Sequence, residues 1–198
     1  MTILGLRIMR IHAYKKGVRA LGISESFIKR VSKRSVLAGV VIRSDLVIDG
    51  FSFATTTVGG MDATDSVIKL YENLDRKDIN FVFLNGCVIS WYNVINLNRV
   101  SEAIDSPLIC VTYEESPGLE AYFKENFPTN WQERVKIYYG NGMREPLKLH
   151  TGHTIFIRLF KIGREDAKSI LNKFTLNGAV PEPLRVARLL ARAAMRSI

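Results

Sequence analysis

The order of apolar segments along the chain constrains its fold more than any other feature. Three segments with the period of β-strands come first, at residues 17–27, 35–43 and 46–58. The Ser44-Asp45 connection is so short that the strands on either side of it must pair as an antiparallel hairpin. From Gly59-Gly60 the apolar period lengthens to three or four residues, which predicts a helix from about Asp62 to Leu74.

Strands and helices then alternate. The continuous apolar runs FVFLNG and PLICVTY predict strands that are covered on both faces. A helix is expected between them at about Asn93 to Ile104, and another after Pro117. Three antiparallel strands followed by alternating helices and parallel strands is the ribonuclease-H-like arrangement, in which the first strand is central and pairs with the fourth. We therefore predict an α/β fold with a mixed ribonuclease-H-like sheet.

The C-terminal third is expected to add helices to this sheet. A helix is predicted at Asn130 to Tyr139 and a hairpin around Lys148 to Arg158, and two helices at Arg164 to Phe174 and Pro181 to Arg196 follow. Residues 15–198 are then one domain, which a chain of 198 residues with 47% hydrophobic residues can stabilise with a single core. Residues 1–14 form an N-terminal extension, either an added edge strand or a disordered arm.

Composition indicates the cellular compartment of the protein. No run approaches the roughly 18 apolar residues of a membrane span, and Arg7 and Arg10 interrupt the apolar N-terminus, which argues against a signal peptide. Cys87 and Cys110 lie in or beside apolar strands, so we expect reduced core thiols. These features predict a cytoplasmic protein with no membrane contact.

Positive charge is concentrated at the two ends of the chain. Residues 1–35 hold nine basic residues and one acidic residue, residues 36–143 hold eight and fourteen, and residues 144–198 hold eleven and four. Two basic ends brought together would form a face for a polyanion, most commonly nucleic acid. The alternative is ordinary solvated surface charge. The type of nucleic acid and the oligomeric state are left open.

Specific side chains are candidates for this contact. The connection after the first strand supplies basic residues, the last helix carries an arginine stripe, and two aromatic residues follow the fourth strand. These candidates are Lys29, Arg30, Lys33, Arg34, Arg185, Arg188, Arg192, Trp91 and Tyr92.

Several motifs resemble those of one archaeal protein family. They are GISESF at 22–27, IDGF at 48–51, VGGMDAT at 58–64, FLNG at 83–86, GREDAKSIL at 163–171 and PEPLRVARLLA at 181–191. From about residue 15 onwards the chain resembles a family similar to endonuclease V, the metal-dependent enzyme that nicks nucleic acid next to deaminated bases. The resemblance implies the ribonuclease-H-like fold and a site at the ends of the first and fourth strands.

The resemblance also implies which residues form the site. The family pattern is Gly-hydrophobic-Asp-Asp in strand one and Asp-Gly after strand four. Ser24 stands at the first Asp, Glu25 at the second and Asn85 at the third, while Asp62 is as the pattern predicts. The implied catalytic residues are Glu25, Asp62 and Asn85, and the implied ligands of Mg²⁺ or Mn²⁺ are Glu25 and Asp62. Asp49, on the third strand, is a further candidate ligand at the same edge.

Each of these acids has a plainer explanation as well. Glu25 is equally consistent with a solvated loop residue, and Asp62 with a helix N-cap. Asp49 and Gly50 are consistent with a β-bulge. Glu114, just past the fifth strand, is either a further ligand or part of an exposed loop.

The substitutions decide which function we expect. Two-metal phosphodiester hydrolysis needs carboxylates that hold two dications about 4 Å apart, and replacing Asp by Ser24 and Asn85 removes negative charge from that site. We therefore predict a nucleic-acid-binding protein with a degenerate metal site, which would carry no metal. The alternative is an active Mg²⁺- or Mn²⁺-dependent endonuclease.

Overall fold

The computed structural model describes residues 17–197. The strands are β1 Arg19–Ser26, β2 Arg34–Arg43, β3 Ile48–Thr57, β4 Phe81–Asn85, β5 Val88–Ile89, β6 Asn93–Val94, β7 Leu108–Thr112, β8 Glu145–Lys148 and β9 Thr154–Phe160. The helices are α1 Ala63–Glu72, α2 Leu97–Ala103, α3 Glu120–Asn126, α4 Trp131–Gly140, α5 Arg164–Phe174 and α6 Glu182–Arg196. The predictions for residues 1–14 lie outside the described residues.

A seven-stranded mixed sheet has the order β3-β2-β1-β4-β7-β9-β8. The strands β1, β2 and β3 form an antiparallel meander, and β1 pairs in parallel with β4, which pairs in parallel with β7. The predicted ribonuclease-H-like arrangement is thus confirmed. Because β1, β4 and β7 are parallel, their carboxyl ends lie at one edge of the sheet, here called the carboxyl-end edge. The strand β3 runs in the same direction as β1, so Thr57 ends at this edge and Ile48 begins at the opposite one.

Both faces of the central strands are buried. On one face, the α1 side, Leu21 and Ile23 of β1 pack in a cluster with residues of α1, α2, α3 and α4. On the other face, the α6 side, Val18 and Ala20 pack with residues of α5 and α6. Side chains alternate between the faces along each strand, which explains why the central strands are continuously apolar.

Two glycines allow helices to pack closely on the sheet. A Cβ at Gly22 would lie 2.6 Å from Pro183 Cβ and nearer still to the Pro183 carbonyl group. On the other face, a Cβ at Gly39 would lie 2.5 Å from Leu70 Cδ2. The start of α6 is therefore seated directly on the central strand β1.

One helix boundary was predicted wrongly. The helix expected from Asn93 begins at Leu97, and the side chain of Asn96 caps it by accepting a hydrogen bond from the Arg99 N–H, 3.1 Å. Asn93 instead lies in β6, which pairs with β5 in a separate two-stranded sheet. Within residues 17–197, no helix is long and apolar enough to cross a membrane.

Candidate functional site

Glu25 lies near the end of β1, at the carboxyl-end edge, and the alternation of β1 directs its side chain to the α1 side. Ser35 Oγ donates to its Oε2 at 2.9 Å, and the Ser90 N–H donates to its Oε1 at 3.4 Å. Burial raises the pKa of Glu25, and these two hydrogen bonds only partly oppose the rise. Glu25 is therefore a fixed, half-buried carboxyl group rather than a solvated loop residue.

Asp62, between β3 and α1, is surrounded by hydrogen-bond donors. Its Oδ1 accepts from Thr56 Oγ1 at 2.6 Å, from the Thr57 N–H at 3.0 Å and from Asn93 Nδ2 at 2.8 Å. Its Oδ2 accepts from Thr57 Oγ1 at 2.8 Å. Burial alone would raise the pKa of Asp62, but these hydrogen bonds outweigh it and bring the pKa to about 2.

The side chain of Asp62 does not cap α1, although Asp62 stands at the N-cap position. Its oxygens are bound to the end of β3, and the cap is supplied from elsewhere: Asn93 Oδ1 accepts from the Ala63 N–H at 3.1 Å. Asp62 is therefore the N-cap residue, as the capping alternative predicted, but its side chain makes no capping hydrogen bond. Asn93 joins β3, α1 and β6, a role that its position in the sequence did not indicate.

Ser24 lies on the opposite face of the sheet from Glu25. It is 3% exposed, and its Oγ donates to the carbonyl oxygen of Leu184 in α6 at 3.2 Å. Ile23 pairs with Leu84, so Ser24 and Asn85 follow as neighbours at the ends of β1 and β4. Strand alternation from Phe83 places Asn85 on the α6 side too.

Asp49 is far from these residues, so its predicted role as a metal ligand is wrong. Because β3 is directed like β1, its first residues lie at the edge opposite to the carboxyl-end edge. Asp49 Oδ2 is 2.5 Å from Arg19 Nε and 2.9 Å from Arg76 Nη2. Hydrogen bonds from these two arginines lower the pKa of Asp49. Arg19 precedes Glu25 by six residues of β1, a separation of about 20 Å.

The residues at the carboxyl-end edge do not fit a two-metal centre. Both oxygens of Asp62 are occupied by protein donors, Ser24 donates its hydroxyl group to a carbonyl, and Asn85 carries no charge. Mg²⁺ requires free oxygen ligands in near-octahedral geometry. Among residues 17–197, no group of three or more His, Cys, Asp or Glu side chains is placed to hold a metal ion. Glu114 lies in an exposed loop after β7.

The predicted basic residues after β1 are exposed beside this edge. Lys29, Arg30, Lys33 and Arg34 form what is here called the basic loop, residues 29–34. Arg34 Nη1 lies 3.8 Å from Asp62 Oδ2, and Lys29 Nζ lies 4.5 Å from the centroid of the Trp91 ring. The basic loop is thus adjacent both to the acidic residue and to an aromatic side chain.

The turn that carries Trp91 has an unusual backbone. Ser90, Trp91 and Tyr92 have φ values of 45°, 59° and 64°, a region that costs non-glycine residues about 1 kcal/mol or more each. Surrounding contacts hold them: the Gly59 N–H donates to the Ser90 carbonyl at 2.8 Å, and Tyr92 stacks on Tyr122 with centroids 6.0 Å apart. Trp91 is left half-exposed.

Arg134 of α4 holds the same turn through hydrogen bonds to backbone carbonyls. No sequence motif predicted this role. This side chain is 1% exposed and donates to the carbonyls of Gly59 at 2.7 Å, Gly60 at 3.0 Å and Tyr92 at 2.7 Å. Among the described residues, no carboxylate lies within 4 Å of its guanidinium group. Arg134 therefore holds the segment after β3 and the turn at Trp91 together through backbone oxygens.

The predicted arginine stripe on α6 divides into three different environments. Arg185 is paired with Glu182 within the helix, with Nε 2.8 Å from Oε2. Arg188 is half-buried against the α6 side of the sheet, and Arg192 is exposed. Only the last two remain available for a further charged partner.

The structure also contains a cavity that the sequence did not predict. It measures about 710 Å³, lies between the loop after β7, the end of α4 and β9, and is lined by Tyr138, Tyr139, Phe156, Arg144 and Arg158, among others. Its arginines come from segments with no recognisable motif.

Cys87 and Cys110 are free and buried, as expected. Cys87 Sγ lies 3.3 Å from Arg158 Nη1.

Known proteins with similar sequences and structures agree with this architecture. The family described as Endonuclease dU matches residues 16–195. A UPF0215 protein of Pyrobaculum calidifontis is 35% identical over 172 residues, which cover 86% of this chain and 93% of that protein. A crystal structure from Archaeoglobus fulgidus, of a protein of unknown function, has a TM-score of 0.77 at 26% identity and covers 90% of this chain and 98% of that one.

The fold is also that of endonuclease V. The crystal structure of Ciona intestinalis endonuclease V, in complex with a 24mer DNA containing an inosine followed by a ribo-adenosine, has a TM-score of 0.59 at 14% identity. The match covers 92% of this chain and 87% of that one. The chain shares this fold, and its sequence shows that it belongs to the Endonuclease dU family.

Proposed function

We propose that this protein binds single-stranded nucleic acid at the carboxyl-end edge of its sheet and does not hydrolyse it through bound metal ions. The observation that carries the proposal is the hydrogen bonding of the Asp62 carboxylate. Its oxygens accept from Thr56, Thr57 and Asn93, so this acid stabilises the site and has no free oxygen for a metal ion. Glu25 also accepts on both oxygens, but from a single donor each, Ser35 Oγ and the Ser90 N–H.

The binding half of the proposal rests on charge and aromatic surface. The exposed cations of the basic loop can each neutralise a backbone phosphate. Trp91, held at the surface beside Lys29, offers a face on which a base can stack, a contact worth about 1–3 kcal/mol. Ciona endonuclease V, of the same fold, was crystallised with DNA. Buried free thiols support a cytoplasmic location for this activity.

Metal-dependent cleavage is the second candidate, and one observation favours it. Glu25 and Asn85 line the same cavity, of about 10 Å³, at the carboxyl-end edge. A cavity of that size accommodates one water molecule or ion. A single Mg²⁺ or Mn²⁺ held there by Glu25 would be the minimum for hydrolysis of DNA or RNA.

One experiment separates the two candidates. Labelled DNA and RNA oligonucleotides, with and without deoxyuridine or inosine, are incubated with the protein in EDTA, Mg²⁺ or Mn²⁺. Binding is followed by fluorescence anisotropy and cleavage by gel electrophoresis. We expect affinity that falls with salt, is unchanged by EDTA, and is accompanied by no strand breaks.

Variants make the result specific. Trp91→Ala should weaken binding about 10-fold, while Trp91→Phe retains a stacking surface and most of the affinity. Glu25→Ala should leave binding unchanged. Mn²⁺-dependent cleavage that is abolished by Glu25→Ala would contradict the proposal and establish the second candidate.

A further inference from the structure

The cavity of about 710 Å³ has an exposed mouth and a buried floor. Of the residues that line it, Met143 is 91% exposed and Tyr139 57% exposed, whereas Tyr138 is 8% and Arg158 6% exposed. Sites for small molecules measure about 300–1,000 Å³, so this cavity has room for one. The burial of Arg158 places a positive charge at its closed end.

The protein satisfies the guanidinium group of Arg158 only in part. Its Nε donates to the Gly142 carbonyl at 2.8 Å, and its Nη1 donates to Cys87 Sγ at 3.3 Å. Its Nη2 makes no hydrogen bond within residues 17–197, and it is open to the cavity rather than enclosed by protein. No carboxylate of the described residues lies within 4 Å of this group. An anion that enters the cavity would therefore gain a charge-assisted hydrogen bond from a buried cation.

Cys87 does not neutralise this cation below pH 7. The hydrogen bond with Cys110 and the positive charge of Arg158 lower the pKa of Cys87 to about 7, against the opposing effect of burial. At pH 6 the Cys87 thiol is therefore mostly protonated, and a protonated thiol is a weak acceptor. Arg158 then keeps an uncompensated positive charge.

Aromatic rings form the walls of the cavity. Phe156 is half-buried, and Tyr139 is exposed at the mouth. Arg144 lies over the Phe156 ring, with Cζ 5.3 Å from the centroid, and donates to the carbonyls of Glu114 at 3.0 Å and Ser116 at 3.3 Å. Arg144 thus fixes the loop after β7 as one wall, while the two rings offer apolar faces to a planar ligand.

The cavity opens at the carboxyl-end edge. Thr112, the last residue of β7, pairs with Phe156 of β9, and the loop that follows β7 bounds the cavity. Phe156 and Arg158 alternate with Ile157, which packs on the α6 side, so both lie on the α1 side, as Glu25 does. Three strand spacings, about 14 Å, separate β1 from β9. One strand of nucleic acid bound at the basic loop can therefore reach the cavity.

These features favour a nucleotide with a terminal phosphate group as the ligand. A phosphate monoester carries a charge of about −1.5 to −2 at pH 7 and has three strong acceptor oxygens. An internal phosphodiester continues on both sides, whereas a terminal phosphate can enter a closed end from one side and reach Arg158. The base supplies the planar ring that the aromatic walls can hold.

We infer that this cavity binds a nucleotide whose terminal phosphate group accepts from Arg158 while its base stacks on Tyr139. The nucleotide is either free or the end of a bound strand, and in the second case the inference rests on the proposed function and deepens it. Glu115 also lines the cavity, but it is exposed, so solvent screens its charge.

The first test uses free ligands. Isothermal titration calorimetry at pH 6 in EDTA compares adenosine 5′-monophosphate (AMP), adenosine and inorganic phosphate. The wild type should bind AMP at least 10-fold more tightly than either fragment. Arg158→Met should weaken AMP binding about 10-fold or more and leave adenosine binding unchanged, because only the phosphate contact is removed. Arg43→Met, which removes a cation at the opposite edge of the sheet, is the matched control and should change neither affinity.

Tyr139 provides a second pair of variants. Tyr139→Ala should weaken AMP and adenosine binding alike, by about 10-fold, and Tyr139→Phe should retain most of the affinity because it keeps the ring. Since Tyr139 is exposed, these variants test the cavity even if Arg158→Met does not fold. Equal affinities of Tyr139→Ala and the wild type for AMP would contradict the inference.

The source of the nucleotide is tested with labelled single strands that carry a phosphate at the 5′ end, at the 3′ end or at neither. A strand-end ligand predicts that one terminal phosphate raises the affinity about 10-fold and that Arg158→Met abolishes this preference. Trp91→Ala should weaken all three strands equally and leave the preference unchanged, because it acts on the proposed function alone. AMP binding without any preference among the strands identifies a free nucleotide.

The outcomes distinguish this inference from the proposed function. If strands bind but AMP does not, and terminal phosphates have no effect, the inference is wrong and the proposed function stands. If AMP binds but no strand does, the proposed function is wrong and the cavity holds a free nucleotide. A phosphate preference that Arg158→Met leaves intact also overturns the inference.

Discussion

Asp62 and Glu25 are both acids at the carboxyl-end edge, but their surroundings shift their pKa values in opposite directions. Five hydrogen bonds from Thr56, Thr57 and Asn93 favour the ionised form of Asp62. Glu25 is more deeply buried and receives two, so burial raises its pKa and the two hydrogen bonds only partly oppose the rise. Asp62 therefore stays ionised to a lower pH than an ordinary aspartate, and its hydrogen bonds hold β3 and β6 together.

This makes Asp62 an acid whose effect on stability depends on pH. Its pKa falls from 3.8 to about 2 on folding, so the ionised form stabilises the fold above pH 4, and this stabilisation is lost as pH falls toward 2. Since the side chain is 39% exposed, the effect is about 1 kcal/mol after allowance for solvent screening. Asp62→Asn should therefore destabilise the protein at pH 6, and the difference from the wild type should shrink by pH 2–3.

Urea unfolding followed by circular dichroism at several pH values measures this difference. Asp65→Asn, in the first turn of α1 with a side chain 62% exposed, is the matched control and should change stability by less than about 0.5 kcal/mol throughout. A cost for Asp62→Asn that stays constant from pH 6 to pH 3 would show that ionisation is not the cause.

Single residues were the least predictable part of the site. Ser24, Glu25 and Asn85 were correctly expected at the strand ends, because the apolar runs stop there. Which face each side chain occupies depends on the register of β1 with β4 and on the seating of α6, and neither is local in sequence. Asp49 was misplaced although the meander was predicted, because it stands at the start of β3, and β3 begins at the edge opposite to the end of β1.

At the scale of elements, α6 depends on close contact with β1. Gly22 faces the Pro183 backbone, where a Cβ has no space. Gly22→Ala should therefore displace the start of α6 and lower the free energy of unfolding by about 3 kcal/mol. Gly140→Ala, at the end of α4 with nothing within 4 Å of the added Cβ, should be neutral or stabilise by up to about 1 kcal/mol. Chemical denaturation of both variants checks this, and equal effects would mean that α6 is not seated as described.

Arg134 links three segments that are distant in sequence. Its guanidinium group is buried and bound to the carbonyls of Gly59, Gly60 and Tyr92. Arg134→Met would leave those oxygens unpaired, so we expect a loss of about 3 kcal/mol and faster amide hydrogen exchange in the turn at Trp91. Lys136→Met, exposed on the same helix, is the control and should change neither quantity. Destabilisation with unchanged exchange at residues 90–92 would contradict the proposed link.

Elements with a clear period were predicted well, and those that depend on pairing were not. The apolar spacing of α1, α5 and α6 placed them to within a few residues. The two-residue strands β5 and β6 are too short to show a period, and they replaced the expected first turn of α2. Likewise, the predicted hairpin near residue 150 could be seen in the sequence, but its antiparallel pairing with β7 could not.

At the scale of the whole molecule, the charge distribution follows from the topology. The sheet places the end of β1 and its basic loop at the same edge as the start of α6, which contacts Ser24. Within the described residues, the basic loop and the start of α6 are thereby brought to one edge. Two of the acids expected at this edge are replaced by Ser24 and Asn85. A third, Asp62, is engaged in hydrogen bonds within the protein. Under the proposed function, this edge attracts an anion rather than a dication.

The central claim is that this edge no longer holds catalytic metal ions. The most direct test is Mn²⁺ binding, by calorimetry in solution and by anomalous scattering from crystals soaked in millimolar Mn²⁺. The account predicts no heat of specific binding and no anomalous peak at the ends of β1 and β4. A Mn²⁺ ion held by Glu25 together with Asp62 or Asn85 would contradict it, and would show that the metal site persists in altered form.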